Sequence, residues 1–275
     1  MREGYWMIRT YQAGNVGEKT KYFVPGARPD NRSKRKEKDA VKKAEQNEYS
    51  AQKALARLIN ANFGKGDIFL GLDYSEEALC SLLSEKDVQD HEEESEGEQE
   101  EQLSEVTTED RLRARADHEM KLCIRRVKRD MKAAGLELRY IAITSDMNGK
   151  TGEFVRVHHH LIVPKEALPF FQSKWNLGGV HYSPMSRQDD YTPIAEYLIK
   201  QVRRIPDAHK YISSRNLIRP EPKDRIAQSD SELRIPHGAK LLHRSVFVPG
   251  QPQYVRYIVP DKQKVKQQED AKETE

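Results

Sequence analysis

Three consecutive histidines stand inside an apolar run of this chain and restrict how it can fold. His158, His159 and His160 follow Val157 and precede the apolar segment 161–163. Such a run is typical of a buried β-strand, in which alternate side chains point to opposite faces. His158 and His160 therefore share one face, about 7 Å apart along the strand, and His159 lies on the other face.

Two imidazoles on one strand face can converge on a single divalent cation, because a neutral ring nitrogen is a common metal ligand. The alternative is a run of solvated or internally hydrogen-bonded histidines, which accounts for most isolated His-x-His patterns. In this chain the flanking residues are apolar, so two unpartnered rings would be costly. The context therefore favours a metal site at His158 and His160.

The patterns on either side of the histidines predict an α+β fold rather than a doubly wound parallel sheet. Thr107 and Asp110 match a capping box, and the apolar residues that follow recur every three or four positions, which predicts a helix over 109–134. We expect a central antiparallel sheet of about five strands, flanked by helices. The other predicted elements are strands at 67–74, 138–144, 154–163 and 178–183 and helices at 53–60, 75–83, 165–175 and 192–204.

Charge is distributed unevenly along the chain. Charged residues make up 33% and hydrophobic residues 36% of the sequence, so we expect one compact domain with solvated tails or insertions. The net charge of +3 conceals an acidic stretch at 87–101 and basic stretches at 32–43 and 111–132. We predict a basic N-terminal arm and helix at 1–63, a main domain at 64–205 with an acidic disordered insertion at about 84–106, and a partly disordered basic C-terminal extension at 206–275.

Weaker patterns occur near both ends. Residues 5–10 and 20–24 are predicted to pair as a hairpin around Gly14 and Gly17, and 245–248 to pair with 254–259. Cys80 and Cys123 are far apart in the sequence, which is typical of reduced thiols in a cytoplasmic protein. No apolar run approaches the ~20 residues that cross a bilayer, and the N-terminus lacks the apolar core of a signal peptide, so we expect no membrane partner.

A tyrosine and a lysine follow the histidines in the helix predicted at 192–204. Tyr197 and Lys200 are three residues apart and share a helical face. A phenol becomes a good nucleophile only when a cation or a positioned base activates it, and Lys200 can supply positive charge beside a phosphate. An amphipathic helix with a solvated lysine often produces the same spacing. The pair is therefore informative because it lies downstream of the strand-borne histidines.

The segment 210–225 is basic with an interleaved tyrosine. Lys210, Tyr211, Arg215 and Arg219 are its candidate contacts to a single nucleic-acid strand, through phosphate contacts and base stacking. A solvated connector would have the same composition, so both interpretations stay open.

Five motifs, taken together and in this order, resemble the rolling-circle replication initiators of the HUH endonucleases. The likeness is greatest to the replication-associated proteins of filamentous phages and of Gram-positive phages and plasmids. It covers about residues 64–220, without the acidic insertion. The motifs are GDIFLGLDY at 66–74, YIAIT at 140–144, RVHHHLIV at 156–163, AEYLIKQ at 195–201 and KYISSRNL at 210–217.

The resemblance implies that 64–205 is an HUH endonuclease domain with a ferredoxin- or RRM-like sheet. By its pattern, His158 and His160 are metal ligands for Mn²⁺ or Mg²⁺, and Tyr197 is the nucleophile that takes a 5′-phosphate. The implied partners are single-stranded or hairpin origin DNA, together with a helicase, a polymerase and a single-strand-binding protein of a bacterial host cytoplasm. Gly149-Lys150-Thr151 lacks the earlier glycine of a phosphate-binding loop, so unwinding requires a separate helicase.

A third metal ligand is less clear from the sequence. Such sites usually carry a polar ligand at the end of the strand before the histidines, where Asp146 is the candidate. Asp146 could instead cap the turn before Asn148-Gly149. Glu196 is a weaker candidate, because it lies off the face shared by Tyr197 and Lys200.

Three other activities fit parts of the pattern. A conjugative relaxase usually places its tyrosine before the histidines, whereas Tyr197 follows them. A single-tyrosine HUH transposase and a non-catalytic DNA-binding protein on the same fold both stay open.

Overall fold

A computed structural model describes residues 4–26, 40–83, 107–186, 189–203, 209–227 and 229–259, with the backbone alone for 40–44. The insertion predicted at 84–106 lies outside these residues, as do 27–39 of the predicted arm and 260–275 of the predicted extension. In the part of the chain that is described, no helix is both long enough and apolar enough to cross a membrane.

The described elements confirm an α+β fold with antiparallel sheets. They are listed here in chain order: β1 (Tyr5–Ala13), β2 (Val16–Val24), α1 (Ala40–Asn62), β3 (Ile68–Asp73), α2 (Glu76–Leu83), α3 (Thr108–Ala133), β4 (Ile141–Met147), β5 (Phe154–Val163), α4 (Leu168–Lys174, after a 3₁₀ turn at Lys165–Ala167), β6 (Val180–Pro184), α5 (Thr192–Lys200), β7 (Ile212–Ser213), β8 (Lys223–Ile226), β9 (Lys240–Arg244) and β10 (Gln253–Ile258).

The chain divides into two compact units that interleave along the sequence. The central unit comprises Lys65–Ser186 and Tyr197–Asn216, and the terminal unit comprises Met1–Gly64, Arg187–Glu196 and Leu217–Glu275. Residues from the predicted N-terminal arm and C-terminal extension thus belong to the same compact unit, because β2 pairs with β10.

The central unit has a five-stranded antiparallel sheet in the order β6-β3-β5-β4-β7. The helix predicted at 109–134 is α3, and its start at the capping box of Thr107 and Asp110 is confirmed. Its apolar stripe is buried against the sheet. Members of this stripe include Ala116, Met120, Ile124, Val127 and Met131. One face of the sheet is therefore buried in the core.

The terminal unit has its own antiparallel sheet, in the order β8-β1-β2-β10-β9. The predicted N-terminal hairpin is confirmed as β1 and β2, which turn at Gly14 with a φ of 56°. The strand predicted at 245–248 is wrong, since β9 pairs with β10 through 240–244 instead. Val246 and Val248 are exposed, so their alternation does not mark a buried face.

A buried hydrogen-bond network fixes the orientation of β5. The His159 ring is fully buried, with Nε2 2.7 Å from the Tyr74 hydroxyl and Nδ1 3.0 Å from the Thr144 hydroxyl. The Thr144 hydroxyl donates to the Asp117 carboxylate, so the Nδ1–H of His159 donates to Thr144 and Nε2 accepts from Tyr74. Burial lowers the pKa of His159 to about 3, which keeps the ring neutral. His158 and His160 are therefore held on the opposite face of the sheet.

The buried His159 predicts a dependence of stability on pH. Its pKa is about 6.5 in an unfolded chain and about 3 in the folded protein. As the pH falls from 7 to 5, the unfolded chain takes up a proton that the folded protein does not, which destabilises the fold by about 2 kcal/mol.

His159→Gln removes this titration. We measure the free energy of unfolding by urea denaturation with EDTA at both pH values. Between pH 7 and pH 5 we expect it to fall by about 2 kcal/mol less in the variant than in the wild type. Equal falls in the free energy of unfolding of the two proteins would contradict the assignment of this pH dependence to His159.

Candidate active site

His158 and His160 aim at one point on the open face of the central sheet. Their Nε2 atoms are 3.1 Å apart and their rings are perpendicular. In the register of the sheet, His158 lies between Asp73 and Ser145, and His160 lies between Gly71 and Ile143. The two imidazoles that the sequence predicts on one strand face therefore converge in the structure.

The His158 ring offers a nitrogen lone pair on Nε2, whereas the Nε2–H of the His160 ring donates to the Gln201 amide oxygen. The Nδ1 of His158 is 2.9 Å from the Arg156 carbonyl oxygen, so its N–H donates there and Nε2 is left without a proton. Burial and the neighbouring His158 lower the pKa of His160 to about 4, so this ring is neutral at neutral pH. The Nδ1 of His160 is buried without a hydrogen-bond partner among the described residues.

A third donor comes from Gln201, which the sequence interpretation did not single out. This residue is buried, and its side-chain oxygen is 3.1 Å from the His160 Nε2. Ligand atoms at adjacent positions around one cation at about 2.1 Å stand roughly 3 Å apart, so the spacing of these donors fits a divalent ion. Two imidazoles and an amide oxygen could hold such an ion. Among the described residues, His, Cys, Asp and Glu alone form no group of three that could do so.

Tyr197 stands beside this donor set. Its ring centroid is 6.0 Å from that of His160, and 55% of its surface is exposed. Leu198 and Ile199 are buried on the other side of α5 and fix the helix against the protein. Tyr197 and Gln201 are four residues apart, which places them on the same side of the helix. The structure thus brings the predicted nucleophile and the histidine pair together.

Lys200 is exposed on α5, three residues after Tyr197. The backbone of Gly149 lies against it, because a Cβ atom at 149 would be 3.2 Å from the Lys200 Cβ. The turn around Asn148-Gly149 therefore approaches the end of the helix without a side chain between them. Glu196 is also exposed, and none of the described contacts joins it to the histidines.

Asp146 is not brought to the histidine pair. Strand alternation and a bulge after Ser145 turn its side chain to the α3 side of the sheet, where it pairs with Arg113 at 2.6 Å and Arg203 at 3.0 Å. Its carboxylate also accepts the backbone N–H of Arg203. The predicted ligand is thus an anchor for the chain that follows α5, and it holds Gln201 in place.

The same anchor ends the helix. The backbone N–H groups of Asp146 and Met147 both donate to the Gln201 carbonyl at 3.2 Å. The helix predicted at 192–204 consequently stops at Lys200, because the next carbonyl bonds the end of β4 instead of continuing the helix.

Two further polar residues lie on the open face of the sheet. Asp73 is paired in register with His158, and its carboxylate is 3.0 Å from the His181 Nε2. His181 is across Gly71 from His160, one strand further along. The sequence signal for Asp73 was its place at the end of an apolar strand, one residue before Tyr74.

The four predicted nucleic-acid contacts fall in both units. Lys210, Tyr211 and Arg215 belong to the central unit, and Arg219 belongs to the terminal unit. Lys210 lines a cavity of about 230 Å³ together with Arg113 and Arg203. Arg215 and Arg219 are exposed.

Comparison with family models, curated proteins and solved structures found no match. The resemblance to HUH initiators therefore rests on the sequence motifs.

The ion pairs of Asp146 predict a large effect on stability. Asp146→Ala leaves the charge of Arg113, a residue with 8% exposure, without its closest partner. We expect the free energy of unfolding to fall by about 3 kcal/mol or more.

Asp130→Ala is a matched control, because Asp130 forms ion pairs with Arg129 and Lys174 at the surface. Its effect in the same urea denaturation should be far smaller. If the free energy of unfolding falls by a similar amount in the two variants, Asp146 is not an anchor.

Proposed function

We propose that this protein is a metal-dependent DNA nicking and joining enzyme of the HUH type, acting as a rolling-circle replication initiator. One observation carries the proposal: the Nε2 atoms of His158 and His160 and the amide oxygen of Gln201 converge beside the Tyr197 ring. The order of the motifs in the sequence supports the same activity.

The reaction follows from the residues at this site. The Tyr197 oxygen attacks the phosphorus of one phosphodiester, a new bond forms from phosphorus to the tyrosine oxygen, and the bond to the 3′-oxygen breaks. The phenol gives up its proton and the departing 3′-oxygen gains one, so the products are a 5′-phosphotyrosine and a free 3′-hydroxyl. Tyr197 is accessible enough to reach a strand lying on this face.

A divalent cation, Mn²⁺ or Mg²⁺, would be held by His158, His160 and Gln201. When bound, it would supply Lewis-acid stabilisation of the negative charge that develops on the phosphate oxygens. His158 keeps its Nε2 free for this purpose by donating from Nδ1 to the Arg156 carbonyl. The exposed Lys200 adds positive charge on the same helix as the nucleophile.

The covalent product explains how one site can both cut and join. The phosphotyrosine keeps the energy of the ester, so attack by a 3′-hydroxyl on the same phosphorus reverses the reaction. Meanwhile a polymerase can extend the free 3′-end. Origin DNA in single-stranded or hairpin form is the substrate, with Lys210, Tyr211, Arg215 and Arg219 as strand contacts. A helicase and a single-strand-binding protein of the host cytoplasm complete the set of partners.

Tyr197→Phe tests the nucleophile. With Mn²⁺ and a labelled, randomised pool of single-stranded DNA, the wild type should form a complex that survives denaturation, and the variant should form none. Binding of the same pool in EDTA should be unchanged, because the ring remains. Tyr211→Phe is the matched control and should still form the complex.

Two outcomes contradict this prediction in different ways. An adduct in Tyr197→Phe would move the nucleophile to another tyrosine. Binding of DNA by the wild type without any adduct would favour a non-catalytic DNA-binding protein.

The donor set can be tested separately from cleavage. In calorimetric titration with Mn²⁺, we expect His158→Ala to abolish binding and Gln201→Ala to weaken it by about tenfold or more. Gln201→Glu keeps an oxygen donor and should retain binding. Asp146→Asn can still accept the Arg203 backbone N–H, so it should lower the affinity less than Gln201→Ala does. Loss of Mn²⁺ binding in Asp146→Asn with full binding in Gln201→Ala would reverse the assignment of the third donor.

A further inference from the structure

A cavity of about 440 Å³ opens beside His158 in the central unit. Its walls include Asp73, Arg156, Gly179 and His181. Asp73 is paired in register with His158, and His181 shares a row of the sheet with His160 across Gly71. The cavity is therefore contiguous with the candidate active site, and its volume falls in the range of pockets that bind small molecules.

The walls of the cavity offer three kinds of contact to a ligand. Asp73 presents a carboxylate acceptor, 3.0 Å from the His181 Nε2. The His181 side chain is 72% exposed, so a face of its ring is open to a ligand. Arg156 adds a guanidinium, which is oriented by a 2.6 Å hydrogen bond to the Tyr74 carbonyl. An acceptor, an aromatic ring and a cation are the groups that proteins use to hold an unstacked base and its phosphate.

These walls are fixed by backbone contacts rather than by side chains alone. The N–H of Asp73 donates to the Gly179 carbonyl, and the Trp175 indole N–H donates to the Asp73 carbonyl. A Cβ atom at Gly178 would lie 2.2 Å from the Asp73 carbonyl oxygen, and one at Gly179 would lie 2.9 Å from the His181 Nε2. The Gly178-Gly179 pair is therefore required for the approach of β6 to β3 and for the contact of His181 with Asp73.

We propose that this cavity binds the base of a nucleotide adjacent to the scissile phosphate, and that it contributes to the choice of cleavage sequence. The proposal rests on the proposed function, since His158 belongs to both the cavity and the candidate active site. The His181 ring stacks on the base, Asp73 accepts a hydrogen bond from an N–H of its edge, and Arg156 contacts the neighbouring phosphate.

A second cation is the other ligand that an aspartate and two histidines could take. Two features disfavour it. The described residues contain no group of three His, Cys, Asp or Glu side chains placed to hold a metal ion. The guanidinium of Arg156 also lines the cavity and would repel a cation.

The decisive experiment compares nucleotide preferences around the cut. Wild type, Asp73→Asn and His181→Ala are incubated with Mn²⁺ and a randomised single-stranded DNA pool, and both the attached and the released fragments are sequenced. We expect the preference at one position next to the cut to fall by about tenfold in both variants, with the other positions unchanged. His118→Ala is the matched control, because His118 is an exposed histidine on α3, outside the cavity.

A second measurement separates this proposal from the proposed function. Anisotropy of labelled oligo(dA), oligo(dC) and oligo(dT) in EDTA reports binding without cleavage. His181→Ala should weaken binding of the oligonucleotide that the wild type prefers by about tenfold, whereas His118→Ala should not. If the wild type forms no covalent adduct but His181→Ala still loses this binding, the proposed nuclease activity is wrong and the proposed base pocket is supported.

Three results would contradict the proposal that this cavity binds a base. In the first, adducts form and all proteins share one sequence profile. In the second, the variants and the wild type bind every oligonucleotide equally. In the third, the loss of binding occurs with Mn²⁺ but disappears in EDTA, which would show that Asp73 and His181 act through a cation.

Discussion

The arrangement of the candidate site depends on the burial of one neutral histidine. Both ring nitrogens of His159 are hydrogen-bonded inside the core, one to Tyr74 and the other to Thr144. These bonds fix which face of β5 is buried. Because side chains alternate along a strand, a shift of one residue would bury His158 and His160 and expose His159. The hydrogen bonds of the buried ring thus set the register on which the convergence of the other two depends.

A second constraint positions the helix that carries the tyrosine. α5 ends where the Gln201 carbonyl accepts two backbone N–H groups from the end of β4, and Asp146 holds the next residues through Arg203. These contacts bring a buried amide to His160 and leave Tyr197 exposed beside it. The sheet and the helix are therefore joined next to His160, through the Gln201 carbonyl and the Asp146–Arg203 ion pair.

Periodicity was enough to predict the α+β class, the long helix α3 and the common face of His158 and His160. It was not enough for Asp146, because the direction of that side chain depends on continued strand pairing and a bulge after Ser145, and neither has a local sequence signature. Gln201 was not predicted, because an uncharged amide has no distinctive sequence signal and its place beside His160 depends on the fold. The pairing of β2 with β10 joins residues more than 200 positions apart, a distance at which local patterns carry no information.

The three donors of the proposed metal site carry no charge when they bind a cation, because an imidazole binds through a neutral ring. Two neutral imidazoles and an amide leave the full double charge of a bound cation uncompensated, and the carboxylate of Asp73 is engaged with His181. Such a set holds an ion loosely by itself and more firmly once an anionic oxygen joins it. The backbone of a nucleic-acid strand can supply that oxygen, so ion and strand would bind cooperatively, each raising the affinity of the other.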